Sequence, residues 1–336
     1  MMNLYKILFS STMVLGTLIT IASYSWFSMW IGLEINLLSI IPLLKSPKSL
    51  YPTEAMMKYF ITQVLASTIL MFSIIMSMNL EAIFTISTSW SMMILNSALL
   101  TKMGAAPFHA WLPEVLEGLN WENCFLMLTW QKIAPMILFS YNLKMTVFIS
   151  FVIITSTIIS GLMGFNQTSM RKIMAYSSIN HIAWMIAGML SMKPIWILYF
   201  LVYSVISLNI IVIFKYLNIF SMKQLFMSFN SNKLIKIMFT LNFLSLGGLP
   251  PFLGFLPKWL VINSLVQNNF LSLSFILIVF TLITMFFYLR LTFPALSILS
   301  NEILPFQNWI LNFKIMFINS ISLLGLFICT LTFSFL

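Results

Sequence analysis

Along the chain, apolar residues come in runs of about 20, separated by short polar or basic connections. A helix needs about that many to cross some 30 Å of hydrocarbon. The pattern predicts eleven such helices, over 4–24, 26–44, 54–79, 89–110, 122–143, 146–165, 171–190, 194–217, 234–260, 270–292 and 315–335. Two connections are longer: 218–233, with Lys223 and Lys233, and 293–314, with Pro294 and Pro305. Both hold enough Phe, Leu and Ile to lie along a membrane surface. The first run follows Lys6 as a signal peptide would, but it lacks a clear small-residue cleavage site and continues into more apolar sequence. It is therefore read as a helix.

Two predicted helices are interrupted alike. "GAAPFHAWLPE" starts at Gly104 and "GLPPFLGFLPK" at Gly248, an offset of 144 residues that steps from the fourth helix to the ninth. Five helices is an odd number, so the second copy crosses in the opposite direction: an inverted-topology repeat, as in many ion-coupled transporters. Ile35-Asn36 and Ile179-Asn180 repeat at the same offset. The fold expected is all-α and polytopic: inverted five-helix repeats over 1–143 and 146–292, with helices four and nine broken. A surface connection and one C-terminal helix fill 293–336. Pro107 and Pro251 remove an amide donor, while Gly104, Gly247 and Gly248 loosen the backbone. The freed polar groups must be buried in protein or line a hydrated cavity. One such break is an ordinary proline kink; two matched breaks in inverted copies, each near a lysine, argue for function.

Composition agrees with a membrane protein. Charged residues are 7% of the chain, against about 25% in a soluble domain. The net charge of +10 comes from cations scattered between apolar runs, so it forms no nucleic-acid face, and the expected surroundings are a lipid bilayer. With eleven spans, twelve basic residues fall on the N-terminal side and only Lys144 and Lys193 on the other. This places the N-terminus in the cytoplasm or the mitochondrial matrix. Cys124 and Cys329 lie in separate runs, and His109 and His181 have no neighbouring Cys or Asp, so no metal site is expected.

Four charges fall inside spans: Glu34 in helix two, Lys102 in helix four, Lys132 in helix five and Lys258 after the break in helix nine. Each costs about 2.5–3.5 kcal/mol at mid-membrane, too much for four accidents. Bland readings exist: Lys258 can snorkel to an interface, and Lys132 with Glu34 can form a static buried ion pair. The sharper reading is a proton relay. Burial makes an amine easier to deprotonate, a nearby carboxylate restores its proton, and arginine cannot take part because it stays charged. His181, in "SSINHIAW", titrates near neutrality and can extend the chain of sites. For His109, a carbonyl-bonded histidine and a relay are equally good readings. Glu114, Glu117 and Glu122 form either a solvated or subunit-contacting loop or an inlet for protons.

"LLTKMGAAPFHAWLPEV", "TWQKIAP", "SSINHIAWM" and "GGLPPFLGFLPKW" together resemble the NADH dehydrogenase subunit 2 family of mitochondrial respiratory complex I, one of its antiporter-like pumping subunits. The resemblance spans nearly the whole chain. It implies that Lys102 is the central lysine of the first broken helix, paired with Glu34, that Lys132 is a bridging lysine, and that Lys258 belongs to the second broken helix. In the 144-residue register, however, Lys102 faces Leu246 and Lys258 faces Glu114, so the repeat matches the breaks and not the lysines. Bacterial relatives carry three further N-terminal helices, and their absence looks like the animal mitochondrial form. The location implied is the mitochondrial inner membrane, with the N-terminus in the matrix and the C-terminus in the intermembrane space.

The expected function is proton translocation within NADH:ubiquinone oxidoreductase, driven by redox chemistry elsewhere. NADH, FMN, iron–sulfur clusters and ubiquinone would belong to the assembly. The chain has no Rossmann fingerprint and no cysteine ligand set, and that it holds no quinone either is implied by the resemblance. The partners implied are other complex I membrane subunits, including neighbouring antiporter-like ones. The competing readings are a cation/proton antiporter subunit of related fold and a non-conducting membrane scaffold.

Overall fold

Where no water reaches, every backbone amide and carbonyl must be bonded within the protein, and a helix does this within one segment. The computed structural model of the chain describes residues 4–45, 50–80, 87–228, 233–250, 252–297 and 319–320. Among them the regular elements are all helices, beside one isolated bridge between Ser169 and Ser221. The chain forms two compact units, Met1–Thr155 and Ser156–Leu336.

Unit one holds α1 (Leu4–Ala22), α2 (Trp26–Leu44), α3 (Tyr51–Leu80), α4 (Ser87–Met103), α5 (Trp111–Gly118), α6 (Trp121–Leu128), α7 (Trp130–Tyr141) and the first half of α8 (Thr146–Phe165). Unit two holds the rest of α8, then α9 (Met170–Ser191), α10 (Lys193–Leu217), α11 (Met222–Ser228), α12 (Lys233–Gly247), α13 (Phe255–Gln267) and α14 (Leu271–Ser297). Among the described residues, α1, α2, α3, α8, α9, α10 and α14 are long and apolar enough to cross a membrane, seven in all. The expected fifth and ninth spans are each divided into two shorter helices, the expected fourth stops at Met103 with the short α5 following it in the expected connection, and the expected eleventh lies outside the described residues except for Asn319 and Ser320.

The division of the fifth span was not expected. The run 122–143 reads as one helix, yet Thr129 (φ −117°, ψ −71°) separates α6 from α7. Pro135 has no amide to offer the preceding turn, and the Thr129 hydroxyl donates back to Phe125 O at 2.7 Å, a bond that bends helices. Two connections also gain structure. The short α11 forms within 218–233, where the Gln224 side chain accepts from the Phe220 and Ser221 amides, and α14 continues past 292 to Ser297.

In unit one the tightest packing is between α1 and α2. A Cβ on Gly16 would lie 2.9 Å from Asn36 N, and one on Gly32 would lie 2.8 Å from Thr20 N, so the two backbones touch. Small residues are how membrane helices gain contact without a hydrophobic driving force between them. The Thr17 and Thr20 hydroxyls donate to Val14 O and Thr17 O at 2.7 and 2.6 Å, which satisfies them inside their own helix. The other face of α1 is apolar and exposed, with Leu4, Leu8, Leu15 and Leu18 upon it.

In unit two the centre is α9. Every residue from Ile173 to Met189 is buried, so the helix is enclosed on all sides, as an all-round apolar helix should be. Its Ser177 and Ser178 hydroxyls bond to Met174 O and Ala175 O. Asn180 donates to Thr284 Oγ1 of α14 at 3.3 Å, and Ser191 meets Ser264 of α13 at 2.7 Å. Phe214 of α10 packs against Phe239 and Phe243 of α12.

The contact between α1 and α2 sets a clear expectation. Gly32→Leu should cost about 1–3 kcal/mol by overpacking and lower the thermal midpoint of the purified assembly that contains this chain. Leu18→Ala, on the exposed face of α1, should leave that midpoint unchanged.

Candidate functional site

Both breaks end their first helix in the same manner. Gly104 (φ +76°) donates its amide to Leu100 O at 2.9 Å, and Ala105 donates to the same carbonyl at 3.1 Å. Gly248 (φ +81°) donates to Leu244 O at 3.1 Å, and Leu249 to the same atom at 3.3 Å. Every partner in the second set stands 144 residues after its counterpart. A left-handed residue closing the last turn is a common helix stop, and glycine adopts it without a Cβ clash.

The carbonyls freed beyond each stop are taken up by side chains. In unit one Trp111 donates its indole N–H to Thr101 O at 3.0 Å, and the Thr155 hydroxyl donates to Ala106 O at 3.3 Å. In unit two the Lys258 ammonium donates to Gly247 O at 2.6 Å. Lys258 is 7% exposed, so its side chain runs inward over Gly248 rather than out to the interface. A Cβ on Gly248 would lie 2.8 Å from the Lys258 Cδ and 3.0 Å from its Nζ.

In unit one the end of α4 opens on a small cavity lined by Asn36, Tyr59, Gln63, Lys102, Gln131 and Pro135. It is narrow, with room for about one water molecule. Lys102 is 6% exposed, and among the described residues its ammonium is held by neither a hydrogen bond nor an ion pair within 4.0 Å. Glu34 is in electrostatic reach of it, and also of the Tyr59 hydroxyl, without direct contact. One oxygen of Glu34, Oε1, is buried and has no hydrogen-bond partner among the described residues. Tyr59 donates to Gln131 Oε1 at 3.3 Å, and Gln131 donates to Asn36 Oδ1 at 2.9 Å. Lys132, next to Gln131 on α7, is 1% exposed.

In unit two a second small cavity lies between His181, Tyr199, Tyr203, Ser245, Gly254 and Pro257. His181 Nδ1 and the Tyr199 hydroxyl are 2.8 Å apart, and the Tyr203 ring lies 4.9 Å from the imidazole. Trp184, one turn along α9 from His181, has its ring 5.8 Å from the Lys258 ammonium. No carboxylate exists in the sequence from Ser156 to Ser297. The positive charge of Lys258 is therefore countered by the carbonyl end of α12 and an indole face.

The structure thus gathers Glu34 and Lys102 with Lys132 nearby in unit one, and His181 with Lys258 in unit two. His109 is half-buried, with Nδ1 3.2 Å from Pro107 O. Glu114 lies at the surface, where Lys58 bridges it to Glu54 at 3.1 Å on each side. Cys124 is buried, its thiol donating to Leu116 O at 3.5 Å, while Cys329 lies outside the described residues. Sequence reasoning missed the neutral groups of both cavities. Tyr59 with Gln63, and Tyr199 with Tyr203, stand four apart on one helix face, a spacing that marks a polar stripe inside an apolar span.

Comparison with known proteins agrees with this architecture. The family described as "NADH:quinone oxidoreductase/Mrp antiporter, TM" matches residues 23–284. The NADH-ubiquinone oxidoreductase chain 2 of Locusta migratoria is 43% identical over 99% of this chain and 98% of its own length. That of Anopheles gambiae is 49% identical over 85% of this chain and 84% of its own. Among solved structures, respiratory complex I from Thermus thermophilus with bound Aureothin contains a chain that superposes with a TM-score of 0.84. At 19% identity, the match covers 96% of this chain and 79% of that one. The Mrp complex from Dietzia sp. DQ12-45-1b gives a TM-score of 0.71 at 16% identity, over 83% of this chain and 58% of that one.

The Gly248 geometry predicts that Gly248→Ala costs about 1–2 kcal/mol for a left-handed alanine and moves the Lys258 ammonium off Gly247 O. A structure of the variant should show that displacement. Gly161→Ala, whose Cβ would meet nothing closer than 3.3 Å, should be tolerated.

Proposed function

The chain belongs to the NADH:quinone oxidoreductase/Mrp antiporter transmembrane family, and on that premise we propose that it is a proton-translocating subunit of NADH:ubiquinone oxidoreductase in the mitochondrial inner membrane. The observation that carries this reading is the unit-one cavity, which places an unanchored, buried Lys102 ammonium among polar side chains and in reach of Glu34.

Such an arrangement can load and release a proton. At an effective dielectric of about 20, moving a carboxylate from about 5 to about 10 Å away changes its interaction with an ammonium by about 1.7 kcal/mol. That is more than tenfold in proton occupancy at 1.36 kcal/mol per decade. Carrying one charge through 100 mV takes about 2.3 kcal/mol, so a small movement of Glu34 is of the right size to drive most of a step. Tyr59 provides a hydroxyl that can pass a proton to or from a cavity water, and Gln131, itself held by Asn36, orients that hydroxyl. Lys132 and, in unit two, Lys258 and His181 are the further sites of the relay. The Lys258 ammonium rests on a backbone carbonyl, so its release depends on movement of the α12–α13 break.

On this reading, the redox chemistry and its NADH, FMN, iron–sulfur and ubiquinone sites reside in other subunits, and neighbouring membrane subunits deliver the driving force. The excess of basic residues on one side of the expected spans supports an N-terminus in the matrix and a C-terminus in the intermembrane space. The two matched breaks support a division into inverted repeats at 1–143 and 146–292, followed by a C-terminal segment, 293–336.

Replacing Lys102 or Glu34 by Gln in the assembled enzyme should lower the protons moved per electron while NADH oxidation and subunit content persist. Unchanged proton yield in both variants would leave only a scaffold. Sodium–proton exchange by vesicles holding this chain without the redox subunits would favour the antiporter reading.

A further inference from the structure

Unit two carries ten of the 17 cationic side chains of the protein and one carboxylate, Glu302. Two of those cations, Arg171 and Arg290, lie on either side of the turn where α8 stops and α9 starts, near the last turns of α14. Arg290 donates from Nη2 to Gln167 O at 3.0 Å, and its guanidinium lies 5.6 Å from the Phe165 ring centroid. Phe165 is stacked on Phe286, one turn before Arg290 on α14, at 5.3 Å. Arg171 lies over Phe220 at 4.7 Å. The segment around Ser169 is pinned beneath Phe220, because Met170 N donates to Phe220 O at 3.0 Å and Met222 N donates to Thr168 O at 3.1 Å. Both guanidinium groups therefore bracket the single turn 167–170.

This turn presents two different chemistries side by side. Arg290 is half-buried, and its Nε, shielded from solvent, has no hydrogen-bond partner among the described residues. A guanidinium backed on an aromatic ring keeps its planar fork of donors ready for a phosphate. Beside it, Leu162, Met163, Phe165, Phe220 and Phe286 are exposed. An acidic protein segment would supply charge for the arginines but leave that apolar rim to be covered separately. A phospholipid supplies both, with phosphate at the end of the helices and acyl chains along them. Basic residues at the ends of membrane helices attract anionic lipids in this way.

We propose that this end of unit two binds one anionic phospholipid, its phosphate held by Arg290 and Arg171 and its acyl chains laid along Phe165 and Phe286. The site shares no residue with either cavity, and the proposal goes beyond the proton-pumping reading.

The test uses the purified assembly that contains this chain, stripped of loosely held lipid and exposed to vesicles of phosphatidylcholine alone or with phosphatidylglycerol. The phosphatidylglycerol retained is then counted by mass spectrometry. The wild type should retain it in preference to phosphatidylcholine, and inorganic phosphate should not displace it. Arg290→Gln and Arg171→Gln should each weaken retention about fivefold. Arg290→Lys, which keeps the charge and loses the fork, should fall between, and Lys144→Gln in unit one should have no effect. Equal retention in both glutamine variants overturns the proposal. So does displacement by inorganic phosphate, or loss of a protein subunit from the variants in place of lipid. If Arg290→Gln fails to assemble, Arg171→Gln and the wild-type preference between the two vesicle types decide.

Discussion

A carbonyl with no donor costs several kcal/mol in hydrocarbon, and both broken helices are organised around that constraint. Each helix stops at a left-handed glycine, which exposes carbonyls that the ladder can no longer reach. Trp111 and Thr155 cover them in unit one, and Lys258 covers one in unit two. Because the covering groups have to sit at the breaks, polar chemistry is drawn to the middle of an apolar bundle, and the cavities form where that chemistry collects.

The two units then solve the problem of a buried ammonium differently. Lys102 has a carboxylate neighbour, Glu34, whose field reaches it without contact. Lys258 has no carboxylate in the described part of its unit and rests on the end of α12, a partial charge that is part of the backbone. A side-chain counterion can be neutralised or swung away, whereas a helix end can only be moved. On the proposed reading, control of the first lysine is electrostatic and of the second mechanical, although the helix stops beside them share their hydrogen bonds residue for residue.

Much of this was legible in the sequence because hydrocarbon imposes strong rules. Spans such as 26–44 and 146–165 are found where run length places them, since nothing shorter crosses and nothing charged is cheap inside. The breaks were legible because Gly104 and Gly248 sit before prolines at a fixed offset. The fifth span was misread because its division comes from a threonine hydroxyl and a proline six residues later, a combination that leaves hydropathy unchanged. The site was half visible. Glu34, Lys102, Lys132 and Lys258 stand out as charges in apolar runs, while Tyr59, Gln131 and Tyr199 do not, since a single neutral polar residue is ordinary in a membrane helix. That Glu34 and Lys102 interact at a distance is a matter of rotamers and packing, which spacing does not encode.

The touching backbones of α1 and α2 have a mechanical corollary. With Gly16 seated against Asn36 and Gly32 against Thr20, the pair has no compliant side-chain layer between its members, and it moves as one rod. The carboxylate of Glu34 rides on that rod, whose outer face is the exposed apolar face of α1. On the proposed reading, a shift of the rod within the bilayer would change the gap between Glu34 and Lys102, and with it how readily that lysine is loaded.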